Sequence, residues 1–149
     1  TLSDIDMLLH SATHLFMDTE FDHAFRDLLD FDGLIRSVLE QEFDWQALLR
    51  RGEEMDLIPP LYYALRYSRR MFNTPVPAEV LVDCGHLWQP ALPLRLMDML
   101  FDRVIMPPHN SAQRKGTAIA RKLLFVRGHY LRMFHKAFIS PYEKDSIAK

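Results

Sequence analysis

Apolar residues recur every three or four positions along most of this chain, which is the spacing of a helix with one buried face. No segment alternates apolar and polar residues for long enough to indicate a strand. The pattern predicts about six to seven helices, over residues 4–17, 21–39, 45–55, 60–72, 77–84, 96–105 and 111–137. Amphipathic helices with short connections pack on each other, so the expected fold class is all-α, a compact multi-helix bundle without a substantial sheet.

Caps and prolines indicate where these helices begin and end. Ser3 and Asp44 each precede an apolar stripe and are good N-caps. The prolines at 59–60 suit the first turn of the fourth helix. Gly33 weakens the second helix by about 1 kcal/mol relative to alanine and allows a bend there. Residues 85–93 have the least regular pattern and are expected to form a connection.

Length and composition suit one globular domain, with 149 residues and 48% apolar content. We expect this domain to cover residues 1–140 and to be followed by a loose tail over 141–149. The single cysteine, Cys84, excludes an internal disulfide and fits a reducing compartment, so a cytoplasmic location is expected. No apolar run reaches the about 20 residues of a membrane span, and no signal peptide is expected. Because the first residue is Thr1, we expect a processed form or a piece of a longer chain.

Charge is distributed unevenly along the chain. Residues 1–60 hold 14 acidic and 4 basic side chains, a balance of −10, whereas residues 61–149 hold 6 and 14, a balance of +8. The basic side chains of the last predicted helix could take phosphate, nucleic acid or an anionic membrane. Packing of opposite halves on each other, or plain solvation, explains the distribution more simply. Since the chain as a whole is not basic, nucleic acid is not the expected partner.

Asp4 and Asp6 have the Asp-x-Asp spacing of polymerase-β-type nucleotidyltransferases, whose carboxylates hold metal ions that bridge nucleotide phosphates. That motif needs a Gly-Ser turn upstream and a strand beneath the acids. Here the residues that follow repeat at helical spacing, and only two residues precede Ser3. The sequence therefore predicts that the two acids lie in the first turn of a helix, where they favour the helix dipole.

His10 and His14 lie four positions apart, so their rings share one helix face, as many zinc-binding pairs do. The protease motif His-Glu-x-x-His is incomplete, because Ser11 follows His10. A third ligand would come from elsewhere, with His23 and Asp27 the nearest in sequence. A pair of half-buried histidines bonded to neighbouring carboxylates is the simpler interpretation.

Asp27, Asp30 and Asp32 form an acidic cluster with Arg26 and Arg36 nearby. Paired carboxylates can bind a cation or transfer protons. Ion pairs with the two arginines are the favoured interpretation. No Gly-rich phosphate loop, Ser-His-Asp set, Cys-His pair or Cys-x-x-Cys motif occurs in the sequence.

Several segments resemble, in order, the helical part of an uncharacterised bacterial nucleotidyltransferase family. They are residues 1–16, 26–32, 43–45, 60–66 and 126–133. Each segment alone is modestly specific, whereas their order is more so.

The resemblance implies a supporting role. Members of such families join a helical region to a catalytic palm domain that binds the nucleotide and carries the Gly-Ser and Asp-x-Asp motifs. The palm lies N-terminal to the segments seen here and is missing from this chain. We therefore expect no catalytic residue and no cofactor in this chain. Nucleotide and divalent metal are expected only together with a palm domain, which is itself the expected partner.

By the same resemblance, the chain would close over a nucleotide, hold an acceptor or mediate assembly. The candidates for a cleft-facing polar patch are His10, His14, Asp27 and Asp30. The candidates for phosphate contact are Arg127, His129 and Arg132. Two alternatives stay open: a helical module that binds a protein or an anion through its basic last helix, and a metal-dependent enzyme centred on His10 and His14.

Overall fold

A computed structural model describes residues 3–17, 23–89, 93–105, 119–120 and 123. The described residues form six helices and no strand, so the predicted all-α bundle is confirmed. The helices are α1 (Asp4–Met17), α2 (Ala24–Val38), α3 (Trp45–Glu54), α4 (Ile58–Phe72), α5 (Ala78–Leu87) and α6 (Leu94–Ile105). None of these six is both long and apolar enough to cross a bilayer.

Helix α4 lies at the centre of the bundle. It packs against α1, α2, α3 and α5, and nearly all of its first eleven residues are buried. A helix that is apolar on most sides is stable only when other helices cover it. The neighbouring helices each turn one apolar stripe inward, as the spacing of their residues predicts. The most deeply buried of these side chains include Leu8, Leu28, Phe31, Ile35, Leu48, Val80 and Met97.

The predicted N-caps are present. Ser3 Oγ accepts a hydrogen bond from the Asp6 backbone N–H at 3.1 Å and donates to Asp6 Oδ2 at 2.9 Å. Asp44 Oδ1 accepts from the Ala47 backbone N–H at 3.0 Å. These bonds satisfy backbone donors that the first turn of a helix leaves unpaired.

Helix α5 is longer than its sequence pattern indicates. The prediction of an irregular stretch over residues 85–93 is wrong for residues 85–87, which complete a further turn. The Trp88 N–H closes that turn by donating to the Cys84 carbonyl at 2.9 Å. The indole of Trp88 packs on Tyr62 and Tyr63, with ring centroids 5.9 and 5.5 Å away. Contacts with α4 thus stabilise a turn that local sequence does not specify.

Other predictions concern residues that lie mostly outside the described ranges. Of the predicted last helix, 111–137, residues 119–120 and 123 are described and are helical. The rest of it lies outside the described residues, as do Arg127, His129, Arg132 and the tail over 141–149. A single domain over residues 1–140 stays a prediction.

Candidate functional site

Of the two first-turn acids of α1, Asp6 has a structural role. Asp6 Oδ1 accepts a hydrogen bond from Arg51 Nε at 3.1 Å, which joins α1 to α3. Hydrogen bonds from Arg51 and Ser3 hold the pKa of Asp6 below its ordinary value. Asp4 is exposed beside it, and no strand lies beneath the two acids in the described part of the chain. The structure thus confirms the predicted position of both acids in the first turn of a helix that Ser3 caps.

His10 and His14 lie on the outer face of α1, opposite the buried Leu8 and Ala12. Their ring centroids are 6.5 Å apart, with the ring planes at 60°. Among the residues that the structure describes, no three His, Cys, Asp or Glu side chains are grouped closely enough to hold a metal ion. The pair thus shares a face as predicted, but no third ligand joins it in the described ranges.

The acidic residues of α2 separate into different environments. Asp27 is half-buried and Asp30 is exposed. Asp32, by contrast, is buried and takes hydrogen bonds from Arg36 Nε, at 3.0 Å to each oxygen, and from Thr74 Oγ1 at 2.6 Å. The ion pair expected for this cluster is thus present at Asp32. A cleft-facing role for Asp27 and Asp30, or for the two histidines of α1, stays a prediction.

A network of arginines and aspartates joins α4 to α6. Arg66 makes a two-pronged contact with Asp98, from Nε to Oδ1 at 3.0 Å and from Nη2 to Oδ2 at 2.7 Å. Tyr67 donates its hydroxyl to Asp98 Oδ1 at 2.9 Å. Arg70 contacts Asp98 Oδ2 at 3.5 Å through Nη1 and Asp102 Oδ2 at 2.8 Å through Nη2. Paired hydrogen bonds between charged groups fix geometry better than single ones do.

These contacts shift the pKa values of the groups in the network and favour the charge that each has at neutral pH. Burial acts to raise the pKa of Asp98, but hydrogen bonds from Arg66 and Tyr67 outweigh it and hold that pKa below its ordinary value. The hydrogen bond to Asp98 raises the pKa of Arg66, and burial together with Asp98 raises the pKa of Tyr67. At neutral pH the network therefore holds an ionised carboxylate, a cationic guanidinium and a protonated phenol.

Aromatic rings support the network from inside. The Phe101 ring of α6 lies 4.8 Å from Tyr67, 5.1 Å from Tyr63 and 5.2 Å from Phe16, measured between centroids. Each such pair contributes about 0.5–1.5 kcal/mol beyond the area that it buries. The cluster holds α6 against α1 and α4.

An open groove of about 450 Å³ lies along the outer face of α6. We call it the α4–α6 groove; it is lined by Arg70, Arg95, Asp98, Met99, Asp102 and Arg103. Sequence reasoning missed it, because Arg66 and Arg70 are 28 to 32 residues from their aspartate partners. The polar stripe of α6, which recurs at helical spacing from Arg95, is the signal that could have indicated one exposed face.

Comparison with known protein families finds a match to part of this chain. Residues 1–73 match the model of a family described as an uncharacterised nucleotidyltransferase. The match covers α1–α4 and four of the five segments on which the predicted resemblance rests, so the resemblance to a nucleotidyltransferase-like family is confirmed there. The fifth segment, residues 126–133, lies beyond it. No curated protein and no solved structure matches the chain.

Proposed function

We propose that this chain is the helical accessory region of a nucleotidyltransferase and that it positions substrate or mediates assembly for a palm domain. The observation that carries the proposal is the set of hydrogen bonds that Asp6 makes within the family-matched helices. Its carboxylate is bonded to Ser3 and Arg51, so the Asp-x-Asp at Asp4 and Asp6 stabilises a helix start and a helix–helix contact. The other Asp-x-Asp of the matched region, at Asp30 and Asp32, lies inside α2, and Asp32 is bonded to Arg36 and Thr74.

The chemistry of nucleotidyl transfer explains why a palm is required. Carboxylates must hold divalent metal ions on the nucleotide phosphates, and these ions neutralise charge that develops during transfer. An accessory region contributes differently, since it fixes the reacting groups in productive positions and excludes water. The buried helix α4 gives such a region a rigid centre. Nucleotide and metal then belong with the palm, and His10, His14, Asp27 and Asp30 stay the candidates for the surface that faces it.

The gene provides the most direct test. The reading frame upstream of Thr1 should encode a Gly-Ser turn followed by Asp-x-Asp after an apolar strand. A frame that starts at Thr1 would contradict the proposal.

Enzyme kinetics on the palm-containing protein provide a second test. Asp6→Asn should leave kcat for nucleotidyl transfer unchanged and lower the thermal midpoint slightly, because it weakens the contact between α1 and α3. Arg51→Gln is the matched control, since it breaks the same ion pair from the other side and should have the same effect. A fall in kcat of about 100-fold or more with Asp6→Asn alone would show that Asp6 is catalytic.

A further inference from the structure

We propose that α6 pairs in antiparallel orientation with α6 of a second copy of this chain, so that the protein forms a two-fold symmetric dimer. The contact centres on Met99 and is flanked by two ion pairs, each between Arg95 of one copy and Asp102 of the other. This inference concerns self-association and needs no palm domain, so it and the proposed function can fail independently.

Apolar side chains are exposed on the outer face of α6. Met99 is 49% exposed and Leu96 is 38% exposed, although the helix has only 12 residues. The two lie three positions apart, which makes them neighbours on one helix face. Removal of such side chains from water is favourable, and methionine adapts its shape readily to a facing surface. This face therefore gains from being covered by another molecule.

The charges along the groove are balanced, which favours a second copy over a small charged ligand. Arg70 and Arg95 line the groove together with Asp98 and Asp102. Arg103 also lines it, but this side chain already interacts with another group. A surface without a net charge can approach its own copy without long-range repulsion, and opposite charges across the contact fix its register.

The positions of Arg95 and Asp102 suit a two-fold axis. They lie seven residues apart, so they share one face of α6 and are separated by about 10 Å along its axis. In an antiparallel pair whose symmetry axis passes between residues 98 and 99, Arg95 of each copy lies opposite Asp102 of the other. The same two opposite charges thus meet twice, and Met99 lies close to its own copy at the centre.

Both charged side chains can take such a partner. Arg95 is exposed and makes no hydrogen bond or ion pair with another residue in the described ranges. The side chain of Asp102 is 38% exposed and accepts from Arg70 through Oδ2. Its Oδ1 accepts no hydrogen bond from the described residues, so it can take a donor from the second copy. The bond from Arg70 also orients the carboxylate before association, which lowers the entropic cost of binding.

Sedimentation equilibrium of the whole chain tests the dimer. One helix face per copy makes an interface at or below about 1,200 Å², the lower end for specific complexes, so we expect a Kd of about 10–100 μM. The weight-average mass should rise from that of a monomer toward twice that value between about 1 and about 300 μM protein. A monomer mass over the whole range would overturn the inference.

Charge reversal locates the contact. Arg95→Glu brings like charges together at both ion pairs, and so does Asp102→Arg, so each variant alone should dimerise at least about tenfold more weakly. An equimolar mixture of the two variants should recover the dimer, because each unlike pair of copies then has opposite charges at both positions. Arg69→Glu is the matched control and should dimerise as the wild type does, since Arg69 is an exposed arginine that does not line the groove. Equal weakening by Arg95→Glu and Arg69→Glu, or no recovery in the mixture of folded variants, would overturn the inference.

A variant at the centre of the contact keeps the test independent of the fold. Asp102→Arg also breaks the contact with Arg70, so circular dichroism should first show that it keeps its helix content. Met99→Lys avoids this difficulty, because Met99 is exposed and the fold tolerates a lysine there. Two like charges near the symmetry axis should weaken the dimer about tenfold or more. Dimerisation of Met99→Lys with wild-type affinity would contradict the proposed contact.

Discussion

At the scale of single residues, Asp32 is the clearest case of a charge that the fold must satisfy. It is buried, and its oxygens are bonded to Arg36 and Thr74. A buried carboxylate that loses a partner keeps its desolvation cost. Arg36 also donates to the Phe72 carbonyl at 3.1 Å, so the same group holds the C-terminal end of α4. The connection after α4 is thereby fixed to α2.

Thr74→Val should lower the free energy of unfolding by about 1.5–3 kcal/mol, because it removes a hydrogen bond to a buried charge without changing side-chain size. Urea denaturation measures this. Thr13→Val is the matched control: its hydroxyl donates to the Leu9 carbonyl one turn earlier, at 2.7 Å. Such bonds within a helix contribute little, so its loss should stay within about 0.5 kcal/mol. Equal losses in the two variants would contradict the role given to Asp32.

The sequence predicts contacts between residues close together in the chain better than contacts between residues far apart in it. Ser3 and Asp44 were predicted as caps because a cap bonds a backbone group within three residues. The hydrogen bond from Thr74 to Asp32 joins residues 42 positions apart. The sequence pattern indicates only that Thr74 lies in the connection between the fourth and fifth helices. Nothing in the local pattern indicates such a partner, since it depends on how α2 and α4 pack.

At the scale of helices, two glycines occupy opposite environments. Gly33 is exposed within α2, and a Cβ added there would have no neighbour within 4 Å. Gly52 is buried in α3, and a Cβ there would lie 3.1 Å from Ile58 Cδ1 and 3.4 Å from Leu61 Cδ2. A substitution by alanine removes the entropic cost of a helical glycine at both positions. Only at Gly52 must neighbouring side chains move to make room for the added methyl group.

Gly33→Ala should raise the free energy of unfolding by about 1 kcal/mol, the helix-propensity difference between the two residues. Gly52→Ala should gain clearly less or lose stability, because the Ile58 methyl group must shift by a few tenths of an ångström. Both are measured by urea denaturation of otherwise identical chains. A gain for Gly52→Ala as large as that for Gly33→Ala would show that α3 and α4 are less tightly packed than described.

The helices themselves were largely predictable. The bounds of α1 and α3 follow from caps and apolar stripes that lie within each segment. The last turn of α5 was not predictable, since Trp88 stabilises it through Tyr62 and Tyr63 of another helix. The groove is a similar case, because α4 and α6 each supply part of it and neither segment carries a recognisable binding motif.

At the scale of the whole molecule, the interior favours the protonated forms of weakly acidic groups. Burial, aided by the charge of Asp83, raises the pKa of Cys84 from its ordinary 9.0 to about 12. Burial and Asp98 also raise the pKa of Tyr67, and burial raises that of Tyr62. Each group holds its proton more tightly in the folded chain than in the unfolded one. The stability that results is complete below the ordinary pKa and is lost as pH rises above it.

The free energy of unfolding should therefore fall as pH rises from 9 to 12, by up to about 1.4 kcal/mol per pH unit for each such group. Cys84→Ala should make this slope shallower over that range, because it removes one of the retained protons. Urea denaturation at several pH values measures both slopes. Parallel slopes for the wild type and Cys84→Ala would contradict the raised pKa of this thiol.

The contacts that α1, α2 and α3 make with residues after position 73 have a practical consequence for the isolation of the family-matched residues. The match ends at residue 73, yet Asp32 is completed by Thr74, Gln46 Nε2 donates to Asp83 at 3.0 Å, and the Phe16 ring rests on Phe101. The region that matches the family therefore ends within a packed core to which later residues also contribute. A fragment that ends where the match ends would expose aromatic rings and would leave a buried carboxylate without one of its hydrogen-bond donors. Expression trials should therefore extend at least through Ile105.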